Sequence, residues 1–503
     1  MEQQFTINQA VQLAADRLNS GRLDEARGIA QAILAAKPEQ ISALSILGAS
    51  DYRQGRLAEA IQGFRRVHEI LQANTGTTPE QLAQAAHNLA SALDEHGELA
   101  SAEAAYRDAL LHTPDALATL HQLTVLLREQ GRLDEADDLI KHALTLDPNN
   151  AETLYHAGCL SQMRGFSDNA VSLFRKALQR APDYAEVHVN LGMTLLTQGD
   201  YQQGLPEYEW RWRARSVKDA APRLPGVPWD GQALEKRHLF VGCEQGMGDN
   251  IQFCRYLALA RERNPECAIT FWCPTPLLRW LQPFAKRWRI SLLPRDSAQP
   301  PADYTADSHV LVMSMPLVMG TTAATIPRPP AGYLALPTEV LPAWRARTNA
   351  LPPGLRVGLC WRGAQGFRLK LRRDVSLELL IPLAGIPDIQ WVSLQKGASN
   401  EPHPAAWKRK LLDWTDELDD FTDTAALVAS LDLVICVDTS IAHVAGAVGT
   451  PVWLLNRFDT CWRWGKEGET TPWYPGMHIF RQSEFGDWGG CLRRVKVELA
   501  ALV

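Results

Sequence analysis

Glycines punctuate the first two hundred residues at a nearly constant interval: Gly21, Gly55, Gly97, Gly131, Gly165 and Gly199. The separations are 34, 42, 34, 34 and 34 residues. The first five open similar phrases, Gly21-Arg-Leu-Asp-Glu-Ala, Gly55-Arg-Leu-Ala-Glu-Ala, Gly97-Glu-Leu-Ala-Ser-Ala, Gly131-Arg-Leu-Asp-Glu-Ala and Gly165-Phe-Ser-Asp-Asn-Ala. Prolines at Pro114, Pro148 and Pro182 keep the same 34-residue step. Each unit reads as a helical hairpin. The glycine turns the chain, the alanine five residues on (Ala26, Ala60, Ala102, Ala136, Ala170) lets two helices approach, and the proline ends the second helix. Neither helix can bury its apolar face alone, so the units must stack into a solenoid. The 42-residue step holds an insertion, placed near Thr75 to Pro79.

The array resembles the tetratricopeptide repeat, over residue 4 to about residue 205. The resemblance implies a concave groove for peptides or partner proteins. Asn88 and Asn190 are candidate lining residues, or else solvated surface. The array offers no catalytic constellation of its own. A sixth unit begins at Gly199, but its second helix becomes Pro206-Glu-Tyr-Glu-Trp-Arg-Trp-Arg. That aromatic, basic helix reads as a cap packed on the next domain. The expected boundaries are a solenoid at 4–216 and a connector at 217–236, the latter rich in proline (Pro222, Pro225, Pro228).

Composition marks the same join. All 16 tryptophans lie at Trp210 or later. Residues 1–205 carry 26 acidic and 16 basic side chains, and the remainder 31 and 35. A mildly basic second half suits a small anionic ligand and is too weak to argue for nucleic acid. The nine cysteines form no CxxC pair and sit largely in apolar runs, as reduced core thiols do in a cytoplasmic protein. No metal-ligand spacing is evident, the N-terminus lacks a signal-peptide pattern, and no apolar run is long enough to span a membrane.

From His238 onward, buried strand patterns alternate with helices, as in parallel, doubly wound sheets. Strands are expected at 238–243, 268–273, 290–293, 310–315 and 333–336, then at 355–361, 389–394, 433–437 and 451–455. A linker near 337–354 divides them into lobes at 237–340 and 355–503. In the first lobe the loop Glu244-Gln-Gly-Met-Gly-Asp-Asn250 precedes a helix read from Ile251 to about Arg263. Gly246 and Gly248 allow a tight loop whose backbone can approach a ligand. Asp249 is either a helix N-cap, which the residues alone favour, or a general base facing the crevice. In the second lobe, Asp438-Thr439-Ser440 is a sharp turn between the strand at 433–437 and a small-residue helix read from Ile441. Thr439 and Ser440 sit where N-cap residues belong. Such a helix start aims free N–H groups at the sheet crevice, where phosphates bind. The arginine-rich loop 362–374 and Gln395-Lys396 follow two other strands. Arg372, Arg373 and Lys396 are candidate partners of a pyrophosphate, though a solvated charge run would look the same.

These motifs resemble glycosyltransferase family 9, the bacterial heptosyltransferase-related family. The resemblance rests on Gly-x-Gly-Asp at 246–249, the second-lobe arginines, and Val-Asp-Thr-Ser-Ile-Ala-His-Val-Ala-Gly at 437–446. With the repeats in front, the layout is similar to O-linked N-acetylglucosamine transferases and to bacterial repeat-bearing protein glycosyltransferases. The resemblance implies an α-solenoid followed by two Rossmann-like lobes (GT-B). It further implies metal-independent sugar transfer, without a cofactor, from a nucleotide-sugar donor to an acceptor, with a protein recruited by the repeats as the expected acceptor. Asp249 would then be the base. Gly246, Gly248, Gln252, Arg372, Arg373, Gln395, Lys396, Asp438, Thr439, Ser440 and His443 would bind the donor, with Arg373 preferred for the leaving diphosphate. His443 could equally be a core histidine. Where relatives tend to have glycine, this chain has Ser440, which leaves the donor open. The alternative is an interaction scaffold with a degenerate transferase region.

Overall fold

In the computed structural model the described residues are 6–214, 221–244, 246–328, 332–363, 370–398, 403–408 and 410–503. The chain forms two compact units, Met1–Leu160 and Ser161–Val503.

The repeats are helical hairpins throughout. Helices at Ile7–Asn19 and Leu23–Ala36 make the first, and Ala185–Thr197 with Tyr201–Tyr208 the last. All six turn glycines are left-handed, with φ between +74° and +92°. A Cβ there would be strained, which explains why this residue type recurs. The five predicted alanines are fully buried. The insertion extends helices rather than forming a loop domain. Leu57–Ala73 and Pro79–His96 run 17 and 18 residues, against 13 or 14 for their neighbours. A capping box between Thr78 and Gln81 starts the second of them.

The α/β region contains two parallel sheets. The first comprises β1 (Val227–Pro228), β2 (His238–Gly242), β3 (Ala268–Pro274), β4 (Ser291–Arg295) and β5 (Ser308–Leu311), in the order β1-β5-β2-β3-β4. The second comprises β6 (Leu355–Cys360), β7 (Ile389–Ser393), β8 (Leu411–Asp413), β9 (Leu433–Val437), β10 (Val452–Asn456) and β11 (Met477–Arg481), in the order β11-β10-β9-β6-β7-β8. Strand order reverses between β2 and β5 in one sheet and between β6 and β9 in the other. At such switch points the loops diverge at the carboxyl ends of the strands and leave a crevice. One hydrophobic core runs from Phe240 and Trp272 of the first sheet to Val434 and Cys436 of the second and Ile441 of the helix that follows β9. A second core, with Trp391 and Trp407, lies under the terminal helix Trp488–Ala500.

Several elements differ from the sequence reading. Tyr333–Leu336 is not a strand. The Tyr333 hydroxyl donates to the Ile251 carbonyl (2.6 Å), and the Leu334 N–H to Ala447 O (3.2 Å). Apolar content there serves as a strap between lobes. The helix read from Ile251 to Arg263 is two helices, Met247–Phe253 and Arg255–Arg263, broken at Cys254. Between the arginine-rich loop and β7, the chain is helical only over Ile381–Ala384, behind turns at 377–380. The strands β1, β8 and β11 were not legible, being short or lacking strong periodicity.

Candidate functional site

The helix Met247–Phe253 leaves β2 at the first switch point, with Gly246 at its N-cap. Asp249 is its third residue, so the N-cap reading is corrected. Asn250 fastens the loop instead, donating from Nδ2 to the carbonyls of Gly246 (2.7 Å) and Glu244 (3.0 Å). Glu244 itself is 5% exposed and is held by Arg211 at 2.8 Å. Burial pushes its carboxyl up, and the Arg211 guanidinium counters that shift. Arg211 comes from the aromatic helical turn Glu209–Arg213 and donates also to Ser314 Oγ (2.8 Å). The cap predicted at the end of the repeats therefore packs against the candidate site.

Asp249 faces the second lobe. Arg463 donates from Nη2 to Asp249 Oδ1 (2.5 Å) and from Nε to Gln252 Oε1 (2.9 Å). Burial pulls the Arg463 guanidinium down, but the Asp249 carboxylate, Cys461 and Tyr208 together outweigh it, so the group is held firmly charged. The second carboxylate oxygen, Oδ2, lies over Gly246, where a Cβ would stand 2.4 Å from it. Gln252 is fully buried, and its Nε2 has no hydrogen-bond partner. Arg463 lies on the short turn Trp462–Trp464. Sequence reasoning missed it, because an arginine between two tryptophans reads as ordinary surface punctuation. Arg255 was missed too. It is 3% exposed, donates to the Trp473 carbonyl (2.7 Å), and packs under Tyr333 and Tyr474.

The Asp438–Ser440 turn follows β9 at the second switch point, and all three residues are half-buried. The next helix is Ser440–Val448, with Thr439 at the N-cap. The helix thus begins one residue earlier than read, and Thr439 caps by backbone position without a side-chain bond. First-turn N–H groups left uncapped suit an anion. His443, one turn on, is 5% exposed; its Nδ1 pairs with the Tyr474 hydroxyl (2.9 Å), and its ring lies 5.4 Å from Trp464. Burial, with Arg463 and Arg255 nearby, holds it well below the ordinary histidine range, so the imidazole is neutral. A Cβ on Gly248 would lie 2.5 Å from His443 Cδ2. The two helices therefore meet edge to edge at this glycine.

The remaining candidates are distributed around the second switch point. Gln395 accepts from the Arg362 N–H (2.9 Å) and the Cys360 thiol (3.5 Å), fixing the chain as it leaves β6. Arg373 lies across Gly363, where a Cβ would be 1.7 Å from its Nη2. Asp374 accepts from the Gly363 N–H (3.0 Å). Arg372 turns to Asp459 (2.6 Å), which Arg457 also approaches (3.3 Å). Lys396 donates to the Leu418 carbonyl. The structure thus brings together Gly248, Asp249, Gln252 and His443, with Arg463 bonded to Asp249 and Gln252 and close to His443. It places Arg373 and the Asp438 turn after adjacent strands, and it directs Arg372 and Lys396 to other partners. Residues 364–369 of the arginine-rich loop lie outside the described residues, as does Gln245.

The turn, its helix and Arg463 all fall within one recognisable segment. Residues 419–474 match glycosyltransferase family 9 (heptosyltransferase). Tetratricopeptide repeats match at 39–110 and 173–205, and YpiA-like C-terminal tetratricopeptide repeats at 83–150. Protein FlbA of Caulobacter vibrioides is 30% identical over 331 residues, covering 61% of this chain and 53% of that protein. The chain thus spans about half the length of that curated relative. Among solved structures, a tetratricopeptide repeat protein from Parabacteroides merdae is 19% identical over 40% of this chain and 77% of its own, with TM-score 0.35. MamA is 22% identical over 34% and 96%, with TM-score 0.30. No helix among the described residues is long and apolar enough to cross a membrane.

Proposed function

We propose that the α/β region is a GT-B glycosyltransferase that moves a sugar from a nucleotide-sugar to an acceptor hydroxyl, with a protein recruited by the repeats as the acceptor. The observation that carries this reading is Asp249, at one switch point, set against the helix that starts from the Asp438 turn at the other. The family match at 419–474 covers that turn and supports it. The strand order of the second sheet is that of a dinucleotide-binding fold, which supports the Rossmann-like reading of the lobe.

In this mechanism the donor diphosphate lies on the N–H groups at Thr439 and Ser440, with Arg373 reaching it from the neighbouring strand end. Charge accumulates on the leaving diphosphate, and these groups stabilise it. Asp249 takes the acceptor proton through Oδ2, while Arg463 holds Oδ1 and fixes the rotamer. No metal and no cofactor enter the scheme.

The experiment is a titration of the purified chain with nucleoside diphosphates, followed by transfer assays with the nucleotide-sugar that binds. Binding by none of them overturns the proposal. Asp249→Asn is expected to keep nucleotide affinity and to lower transfer about 10²–10⁴-fold. Unchanged transfer would remove Asp249 from the base role.

A further inference from the structure

A second polar cluster lies far along the sequence from this site, within the repeats. His121 is on the helix Leu117–Glu129, and Glu152 and His156 are one turn apart on Ala151–Met163. One ligand atom from each lies within 4.8 Å of the other two. His121 is 1% exposed and His156 6%. The Nδ1 atoms of both are buried without a hydrogen-bond partner.

A hydrogen-bond relay fixes the His121 tautomer. The Thr153 hydroxyl donates to Asn150 Oδ1 (3.2 Å), so its oxygen is the acceptor for His121 Nε2 (2.8 Å). Nε2 therefore carries the proton, and Nδ1 presents a lone pair. That lone pair faces Glu152 Oε2 at 3.5 Å. His156 Nε2 approaches Glu152 Oε1 at 3.9 Å. Lone pairs and a carboxylate converging in this way repel one another unless a cation or a proton lies between them.

The neighbouring repeat provides an internal comparison. His87, 34 residues before His121, also bonds the corresponding threonine, Thr119, but through Nδ1 rather than Nε2 (3.0 Å), and Ala118 and Gln122 stand where Glu152 and His156 would be. The His–Thr bond is thus a stacking feature of the array. The carboxylate and the second imidazole are additions at one junction.

We infer that His121 Nδ1, Glu152 and His156 form a divalent transition-metal site, best suited to Zn²⁺. Two imidazoles and one carboxylate are a borderline donor set that leaves a fourth tetrahedral position for an outside ligand. Thr153 serves as the outer-shell partner that orients His121. Glu152 is half exposed and provides the entry path. The Arg128 guanidinium, close to His156, acts against a cation and moderates the affinity.

The test uses the full chain stripped with chelator, titrated with Zn²⁺ by calorimetry and with Co²⁺ by absorption. One equivalent of Co²⁺ is expected, displaced by Zn²⁺ and without thiolate charge-transfer absorption. Glu152→Gln, at a half-exposed position that leaves the core intact, is expected to weaken binding by more than the roughly 10–100-fold that outer-shell changes cost. His121→Gln should abolish the same equivalent. A thiolate band would place the metal on cysteines. That result, the absence of a bound equivalent, or unchanged affinity in Glu152→Gln would each overturn the assignment.

Discussion

Arg463 is the residue on which the candidate site turns. Its guanidinium joins a carboxylate and an amide of the first lobe to the second. Planar, forked donors are required, since a lysine could not serve both. Removing it leaves Asp249 and the Gln252 carbonyl oxygen without their donor. Arg463→Met is expected to cost about 3 kcal/mol, toward the low end for a buried pair because Asp249 retains some exposure. All tryptophans lie at Trp210 or later, so tryptophan fluorescence during urea unfolding follows the compact unit Ser161–Val503 and not the first one. An unchanged midpoint would show the pair to be dispensable. His443 leads to a pH prediction. Its folded pKa lies well below 6.5, so below that pH the unfolded chain takes up a proton that the native chain refuses. Stability is full above about pH 6.5 and falls as pH drops toward the folded value, by up to about 1.4 kcal/mol per pH unit. His443→Gln should flatten that slope between about pH 6.5 and 5; an unaltered slope would mean that another group carries it.

At the scale of elements, the contact that matters is between the helices Met247–Phe253 and Ser440–Val448. It is possible because Gly248 has no side chain to strike His443. Gly248→Ala is expected to cost about 1–3 kcal/mol, the usual penalty of overpacking, and to weaken nucleotide binding by displacing the helix that starts at the Asp438 turn. Wild-type melting together with wild-type nucleotide affinity would contradict this. The Gly-x-Gly-Asp phrase was legible as a loop and helix start. Its capping was misread, since Asp249 caps nothing and Asn250 two-handedly ties the loop. Propensity ranks both residues as good caps and does not say which is at the right backbone position. The strap at Tyr333 was misread for a related reason. A short apolar run has no periodicity that distinguishes a strand from a buried crossover.

At the scale of the molecule, the compact unit that holds both sheets starts inside the repeats, at Ser161. Tyr201 and Tyr208 pack near Trp462, and Arg211 neutralises Glu244. The final hairpins are therefore part of the α/β core. A fragment beginning at Ala151 is expected to fold, with cooperative melting followed by tryptophan fluorescence. One beginning at Ala221 should aggregate, because Glu244 loses its cation and the core around Trp462 and Trp473 is uncovered. Equal solubility and melting of the two fragments would refute that dependence.

The sequence by itself determined the repeats, the left-handed glycines, the buried alanines, most of the strands and the turn at Asp438. All of these are local: they follow from backbone sterics and from periodicities a few residues long. Tertiary structure alone decided that Asp249 meets Arg463 across 214 positions, that His443 is neutral against Tyr474, and that His121 faces Glu152 and His156. The electrostatic character of each group depends on neighbours remote in the chain and on how far water is excluded. Neither is written in the spacing of residues along one strand or helix.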